Sequence, residues 1–450
     1  MLTDLSWLEN NTEFPPLQKH ERLKEYRKNE LLFNTKIPSE WQDNFSVIAR
    51  RLGKNQSEID TVFNYQQLIS KKTADFVCGE PPAIETEQDT DKITKMLDRQ
   101  NFFTKLYEAF IDVSRFGNAV LKFRDKTVTA VSPMYWFPIC DKSDLKTIVQ
   151  HVIAYPINPD SKGIPQSLYV EIHEKGRFYE RIYNFNRNSA GSLISEKVHN
   201  TGLDDFAVAI LTNITCSSSI FGISDYSIIN SIVEKLIWRF SCIDNVLDKH
   251  SEPSMSGPSS AMDYDEKTGL FYFNLGKYFA RDSSETPDMK YITWDGNLES
   301  SFKEAEMLFN QLYILSEMGQ AFADAGGKDS SGTALKLRLV SPRIKASRLA
   351  KLNDSKVKDI IYILCSLNGI SVDYDTLKLH WNDGLPTDET ELIQTLSLAV
   401  QNEIMSRYSA MKRLGLSDAE IEAELEQISE EQSAVQPLTL GVIDNGKITT

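Results

Sequence analysis

The chain lacks the residue patterns on which most catalytic and metal-binding sites are built. Its five cysteines, Cys78, Cys140, Cys216, Cys242 and Cys365, are scattered, with no CxxC pair and no zinc-ligand spacing. That pattern predicts reduced thiols in the core and a cytosolic setting. The six histidines, His20, His151, His173, His199, His250 and His380, stand apart in sequence and read as surface or satisfied core residues rather than ligands. No HExxH, GxSxG or GxGxxG occurs. The stretch GGKDSS looks like a phosphate loop but fails twice, because Phe322 stands where the first glycine is needed and Asp329 follows Lys328. Long apolar runs are missing too. The longest candidate, Ile360 to Leu367, is about eight residues, and a bilayer-spanning helix needs about 20. The opening MLTDLSWLENNTEF has no basic region and no apolar run, so it does not read as a signal peptide. Positive charge is in deficit: 49 Lys and Arg face 64 Asp and Glu, for a net charge of -15. A field of that sign repels a phosphate backbone, so any contact with nucleic acid has to be local.

What is present is ordinary globular material. With 450 residues, 41% hydrophobic and 25% charged, the chain is long enough for two or three domains. HERLKEYRKNELLF reads as an amphipathic helix, and Pro38 with Trp41 as a turn with an aromatic anchor. Residues 64–85 read as a helix stopped by Gly79 and Pro81-Pro82. Residues 91–116 read as one further helix. From 117 to 215 the pattern alternates between polar clusters, which predicts an antiparallel sheet. Two long helices are predicted at 226–250 and 298–322, the first capped by Ser224 or Asp225. Between them lies a compact insert with β-like runs. ISVDYDTLKLHW predicts a strand pair or a strand with a turn. Ser417 with Glu420 makes a capping-box pattern in the last helices. The fold class is α+β.

One segment runs against the acidic background. From Ser330 to Asn353 there is no acidic residue, but Lys336, Arg338, Arg343, Lys345, Arg348 and Lys351 are all present. It follows a loop containing Gly326, Gly327, Ser330, Ser331 and Gly332, which gives the backbone freedom. A helix is predicted from Thr333 to about Leu367, kinked near Pro342. The six cations fall on more than one helix face, so they cannot all serve one surface. Two roles stay open for them: local contacts to DNA phosphates, and ion pairs with acidic residues of a neighbouring subunit.

Several stretches, in this order, resemble one family, the portal proteins of tailed bacteriophages, in particular those of long-tailed phages of Gram-positive hosts. They are NYQQLISKKTADFVCGEPPAIE, SRFGNAVLKF, FGISDYSIINSIVEKLIWRFSCIDNVLDKHSEP, SSGTALKLRLVSPRIKASR, and WNDGLPTDETELIQTLSLAV followed by IMSRYSAMKRLGLSDAEIEAELEQISEE. The resemblance spans about residues 60 to 430 and leaves the first 60 residues and the insert with few family marks.

The resemblance implies a homo-oligomeric ring, of about twelve subunits, at one capsid vertex, with double-stranded DNA passing through its axis. It implies a protomer with an α+β wing (1–222), stem helices (223–250 and 298–322) and a small α/β clip (251–297). A tunnel loop with a kinked channel helix (323–367), wing return strands (368–383), crown helices (384–432) and a flexible tail (433–450) complete it. It implies no enzymatic activity and no cofactor. The partners would be further copies of the chain, double-stranded DNA, the terminase large subunit, the major capsid and scaffolding proteins and a head-tail adaptor, with no membrane. The protein would be assembled in the host cytoplasm and reside in the virion. The residues expected to face the channel or DNA are Lys328, Ser330, Ser331, Lys336, Arg338, Arg343 and Lys345, with Pro342 at the kink. Another ring-forming adaptor or capsid-vertex protein, or a nucleotide-handling enzyme, are the competing readings.

Overall fold

The computed structural model describes residues 2–8, 12–41, 46, 63–87, 90–186, 188–251, 254–272, 277–282, 288–292, 298–319, 338–382, 389–416 and 418–434. They fall in two compact units, Met1–Gly384 and Leu385–Thr450.

The first unit opens with β1 (Thr12–Glu13), α1 (His20–Phe33), α2 (Tyr65–Cys78), β2 (Ala83–Glu85), α3 (Thr90–Arg99) and α4 (Phe102–Phe116). In α1 the buried residues Leu23, Tyr26, Asn29 and Leu32 recur every third position and form one face. Helix α2 starts where the Asn64 side chain accepts the Gln67 N–H, at 3.0 Å, an N-cap. The single helix expected over 91–116 is two. Asn101 sits between them at φ 51° and ψ 41°, a left-handed conformation that asparagine tolerates better than most residues.

The strands follow: β3 (Asn118–Arg124), β4 (Thr127–Val131), β5 (Trp136–Cys140), β6 (Ile148–Pro159), β7 (Pro165–Glu174), β8 (Arg177–Asn186), β9 (Ser189–Asn200) and β10 (Val208–Thr212). The expected antiparallel sheet is present as a six-stranded sheet in the order β1-β9-β8-β7-β6-β5, with a second sheet, β10-β3-β4. The β3–β4 turn, Asp125-Lys126, has φ of 50° and 66° at its two residues, matching the twist of a tight hairpin. Alternation along β5 and β6 separates two cores. Phe137, Ile139, Val152 and Ala154 face Trp7, Phe14 and Leu23, whereas Trp136 and Ile153 face Val120 and Val208 of the smaller sheet. Glu171 of β7, 1% exposed, receives Lys122 Nζ of β3 at 2.9 Å on both oxygens, and so links the sheets.

Helix α5 (Asp225–Ser251) and helix α6 (Glu299–Leu315) flank the insert. At 27 residues α5 is about 40 Å long. The two helices pack through Leu236, Ile237 and Phe240 against Leu308, Phe309 and Leu312. On α5, Ile229, Leu236 and Ile243, at helical spacing, are buried, but Leu247 is 49% exposed. The insert holds β11 (Ser254–Pro258), β12 (Asp263–Asp265), β13 (Leu270–Tyr272), β14 (Lys277–Arg281) and β15 (Lys290–Ile292) in the arrangements β14-β11-β15 and β12-β13. Its described residues form strands and one 3-10 turn, without the α-helix that an α/β insert implies.

Helix α7 (Val340–Leu367) follows, then β16 (Lys378–His380), which pairs antiparallel with β2. Of the two readings of 370–381, the strand with a turn is the one present: a turn at 374–376 leads into one short strand, whose partner is far away in sequence. Val357, Ile360, Ile361 and Leu364 of α7 are fully buried in the largest core, with α2, α4 and the smaller sheet. Cys78, Cys140 and Cys365 are core thiols as expected, but Cys216 is exposed and Cys242 half-buried.

The second unit contains α8 (Glu389–Gln401), α9 (Arg407–Arg413) and α10 (Asp418–Ala434). Tyr408 and Lys412 of α9 both bond the Asp418 carboxylate, at 2.7 and 3.0 Å. Ser417 of the expected capping box lies outside the described residues.

Candidate functional site

The cationic segment was the one stretch whose chemistry called for a role, and the structure divides its residues. Lys328, Ser330, Ser331 and Lys336 lie outside the described residues. Arg338, just before α7, is exposed, and so is Lys351 within it. Arg343 is half-buried and lines a cavity of 680 Å³ with Val340, Ile344 and Lys351 of α7, Phe76 of α2 and Trp381. Ile344 is 59% exposed and Val340 41%. The outward face of α7 is thus mixed, apolar at its centre with cations at its margins.

Lys345 does not belong to that face. It is 2% exposed, and its Nζ lies 2.8 Å from Asp225 Oδ2 and 3.2 Å from the Ser316 carbonyl oxygen. This corrects its assignment as a DNA-facing cation. Placing the ammonium in water would leave the Asp225 carboxylate buried without its cation, which costs about 3–5 kcal/mol. Arg348 is also engaged within the chain, giving two N–H groups to the two Glu317 carboxylate oxygens. The charged hydrogen bond to Glu317 holds the Arg348 pKa above its ordinary value. The neighbouring-subunit ion pairs expected for the segment are, for these two residues, internal.

The kink expected at Pro342 falls partly outside the described residues. Pro342 is the third residue of α7, in the first turn, where a missing N–H costs nothing. A kink needs a helix before it, and residues 333–337 lie outside the described residues.

Side chains from α2, α4 and the end of β10 meet at Asp225, the first residue of α5. Ser114 of α4 donates to its Oδ2 at 2.7 Å, and Thr73 of α2 reaches the same oxygen at 3.5 Å. The Asn213 side chain, just after β10, donates to Oδ1 at 3.0 Å. Ser224 caps the helix by accepting the Tyr226 N–H at 3.1 Å and donates to the Arg115 carbonyl at 2.6 Å. The chain can reach this point because Gly117 and Gly222 lie back to back. A Cβ on Gly222 would stand 2.0 Å from the Gly117 oxygen, and one on Gly117 2.1 Å from the Gly222 oxygen. Neither Asp225 nor the glycines were assigned this role in sequence; the stretches SRFGNAV and FGISD that carry them were the available signal.

The same joint brings together the two ends of the segment 320–337. A Cβ on Gly319 would lie 3.5 Å from the Arg338 oxygen and 3.6 Å from Ser341 Cβ, and Ser341 Oγ donates to the Glu317 oxygen at 3.0 Å. The segment leaves and returns at one point. Among the described residues, no group of His, Cys, Asp and Glu is arranged to hold a metal ion. No described helix is long and apolar enough to cross a membrane.

No curated protein matches the chain. Among solved structures it is similar to a chain of the neck of a native gene transfer agent particle computed with C12 symmetry. That chain is 12% identical, with a TM-score of 0.43, covering 78% of this chain and 89% of that one. A chain of the virion of the native gene transfer agent particle is 11% identical, with a TM-score of 0.39 and the same coverage. The family model for phage portal proteins, SPP1 Gp6-like, matches residues 11–438, nearly the whole length. The chain belongs to this family of phage portal proteins, the ring-forming structural proteins of the portal vertex of the virion.

Proposed function

We propose that copies of the chain close into a ring of about twelve, through whose axis double-stranded DNA is packaged and later ejected. In this reading the segment 320–337 and the start of α7 face the channel. The terminase large subunit docks on the ring during packaging, a head-tail adaptor replaces it, and the major capsid and scaffolding proteins surround it. The wing, stem, clip, channel helix and crown follow the boundaries expected from the sequence, and the protein carries no catalytic activity of its own.

The observation that supports this reading best is the placement of charge. In a chain of net charge -15, Arg338, at the point where 320–337 rejoins the described chain, and Lys351, further along α7, remain exposed. Neither has a carboxylate within ion-pair distance among the described residues. A mostly acidic wall with a few cations repels DNA weakly and gives exchangeable phosphate contacts, which suits sliding better than gripping. Electron microscopy of the purified protein tests it directly. Rings with an axial hole, and a mass near twelve times 51.1 kDa, are the expected result. Protein that stays monomeric even with scaffolding and capsid proteins present overturns it.

A further inference from the structure

We propose that Lys345 is a positioning residue that ties α6, α5 and α7 into one rigid joint and so holds together the two ends of segment 320–337. The inference deepens the conduit reading, but its first test is independent of it.

The geometry is specific. A single buried ammonium binds the carboxylate at the start of α5 (Asp225, 2.8 Å) and the backbone oxygen just past the end of α6 (Ser316, 3.2 Å). Two further contacts repeat the attachment between α6 and α7: Ser341 Oγ to the Glu317 oxygen, and Arg348 to the Glu317 carboxylate. Glu317 itself is held at φ 57° and Gly319 at φ 52°, so the chain past α6 is bent back toward α7. The carboxylate that receives Lys345 is fixed by Ser114, Thr73 and Asn213 from three other elements. A hydrophobic side chain at 345 would fill the same space without specifying where the end of α6 sits. The ammonium, with directed bonds to both helices, does specify it. Any force on one end of 320–337 then passes into α5 and α6 together rather than moving α7 alone.

The experiment is hydrogen exchange on the intact assembled protein, comparing wild type with K345M, D225N and the double variant D225N/K345M. The single variants leave one buried charge without its partner. The double variant removes both charges and keeps the core free of an orphaned ion, so the fold survives for the comparison. Expected is exchange about a hundredfold faster in 312–319 and 340–348 of the double variant, with the amides of β6 and β7, which bond none of these residues, unchanged. Exchange equal to wild type in those segments overturns the proposal. So does a uniform increase across the protein, since that marks Lys345 as a general stabiliser of the core. A second readout separates this idea from the conduit reading. If the double variant forms rings with locally fast exchange, the joint stands whether or not DNA passes through them. A loss of DNA-filled heads in that variant adds that the joint serves packaging.

Discussion

Gly117 and Gly222 set how closely the first turn of α5 approaches the end of α4. Replacing Gly222 with Ala puts a methyl 2.0 Å from a backbone oxygen, and backbone cannot step aside as a side chain does. The expected cost is about 3 kcal/mol or more, read as a lower urea midpoint at unchanged slope. A midpoint equal to wild type would show that the two turns are not held together. A second residue-scale consequence concerns His151. It is 5% exposed, accepts the Trp136 indole N–H at 3.2 Å and packs on Phe206. Burial, with a smaller contribution from His173, pulls its pKa from 6.5 to about 3. A depressed base pKa means the unfolded chain takes up the proton first as pH falls. Stability from this group is complete above pH 6.5 and is lost from there down toward pH 3. The loss at pH 5 is about 2 kcal/mol. Urea unfolding at pH 7.5 and pH 5 should show it in wild type and not in His151→Phe; an identical pH dependence in both would assign the acid sensitivity elsewhere. Neither residue could be singled out in sequence, because a glycine's partner and a histidine's burial are set by segments about a hundred residues away in the first case and by a second sheet in the other.

At the scale of elements, periodicity carried most of the helices. The 3–4 spacing on α5 and the alternation in β5 to β9 each identify a buried face from local sequence alone. Where the reading failed, one residue's backbone decided the outcome. Asn101 divides what periodicity reads as one helix into α3 and α4, since both halves continue on compatible apolar faces. Pro342 is the third residue of α7, and the residues that would make it a kink, 333–337, lie outside the described ones. The consequence is testable. Pro342→Ala at a first-turn position should change stability by no more than about 1 kcal/mol, measured by thermal unfolding of the assembled protein. A gain of about 3 kcal/mol would instead mark Pro342 as a strained position inside a longer, kinked helix.

At the scale of the molecule, the acidic total and the cationic stretch look contradictory until the cations are sorted by environment. Six basic residues between 336 and 351 read in sequence as one chemical feature. Folding separates the five that are described: Lys345 is a buried tie, Arg348 is clamped to Glu317, Arg343 is half-buried at the cavity, and Arg338 and Lys351 are left at the surface. Sequence gives spacing but not which side of a helix meets the core, because the carboxylates that capture Lys345 and Arg348 lie before and after the insert. Among the described cations of the segment, Arg338 and Lys351 are the exposed ones, and on the proposed conduit reading they are the ones to test against DNA. The charge reversal R338E/K351E should leave ring formation intact, since neither side chain is buried or ion-paired within the described protomer. It should reduce DNA-filled heads by about tenfold or more, because the channel loses its exchangeable phosphate contacts and gains repulsion. The neutral pair R338A/K351A should fall between wild type and the reversal, and its packaging should depend less on salt. Heads filled normally by the reversal variant at low and physiological salt would remove these two residues from the channel. The phosphate contacts would then have to come from residues 320–337.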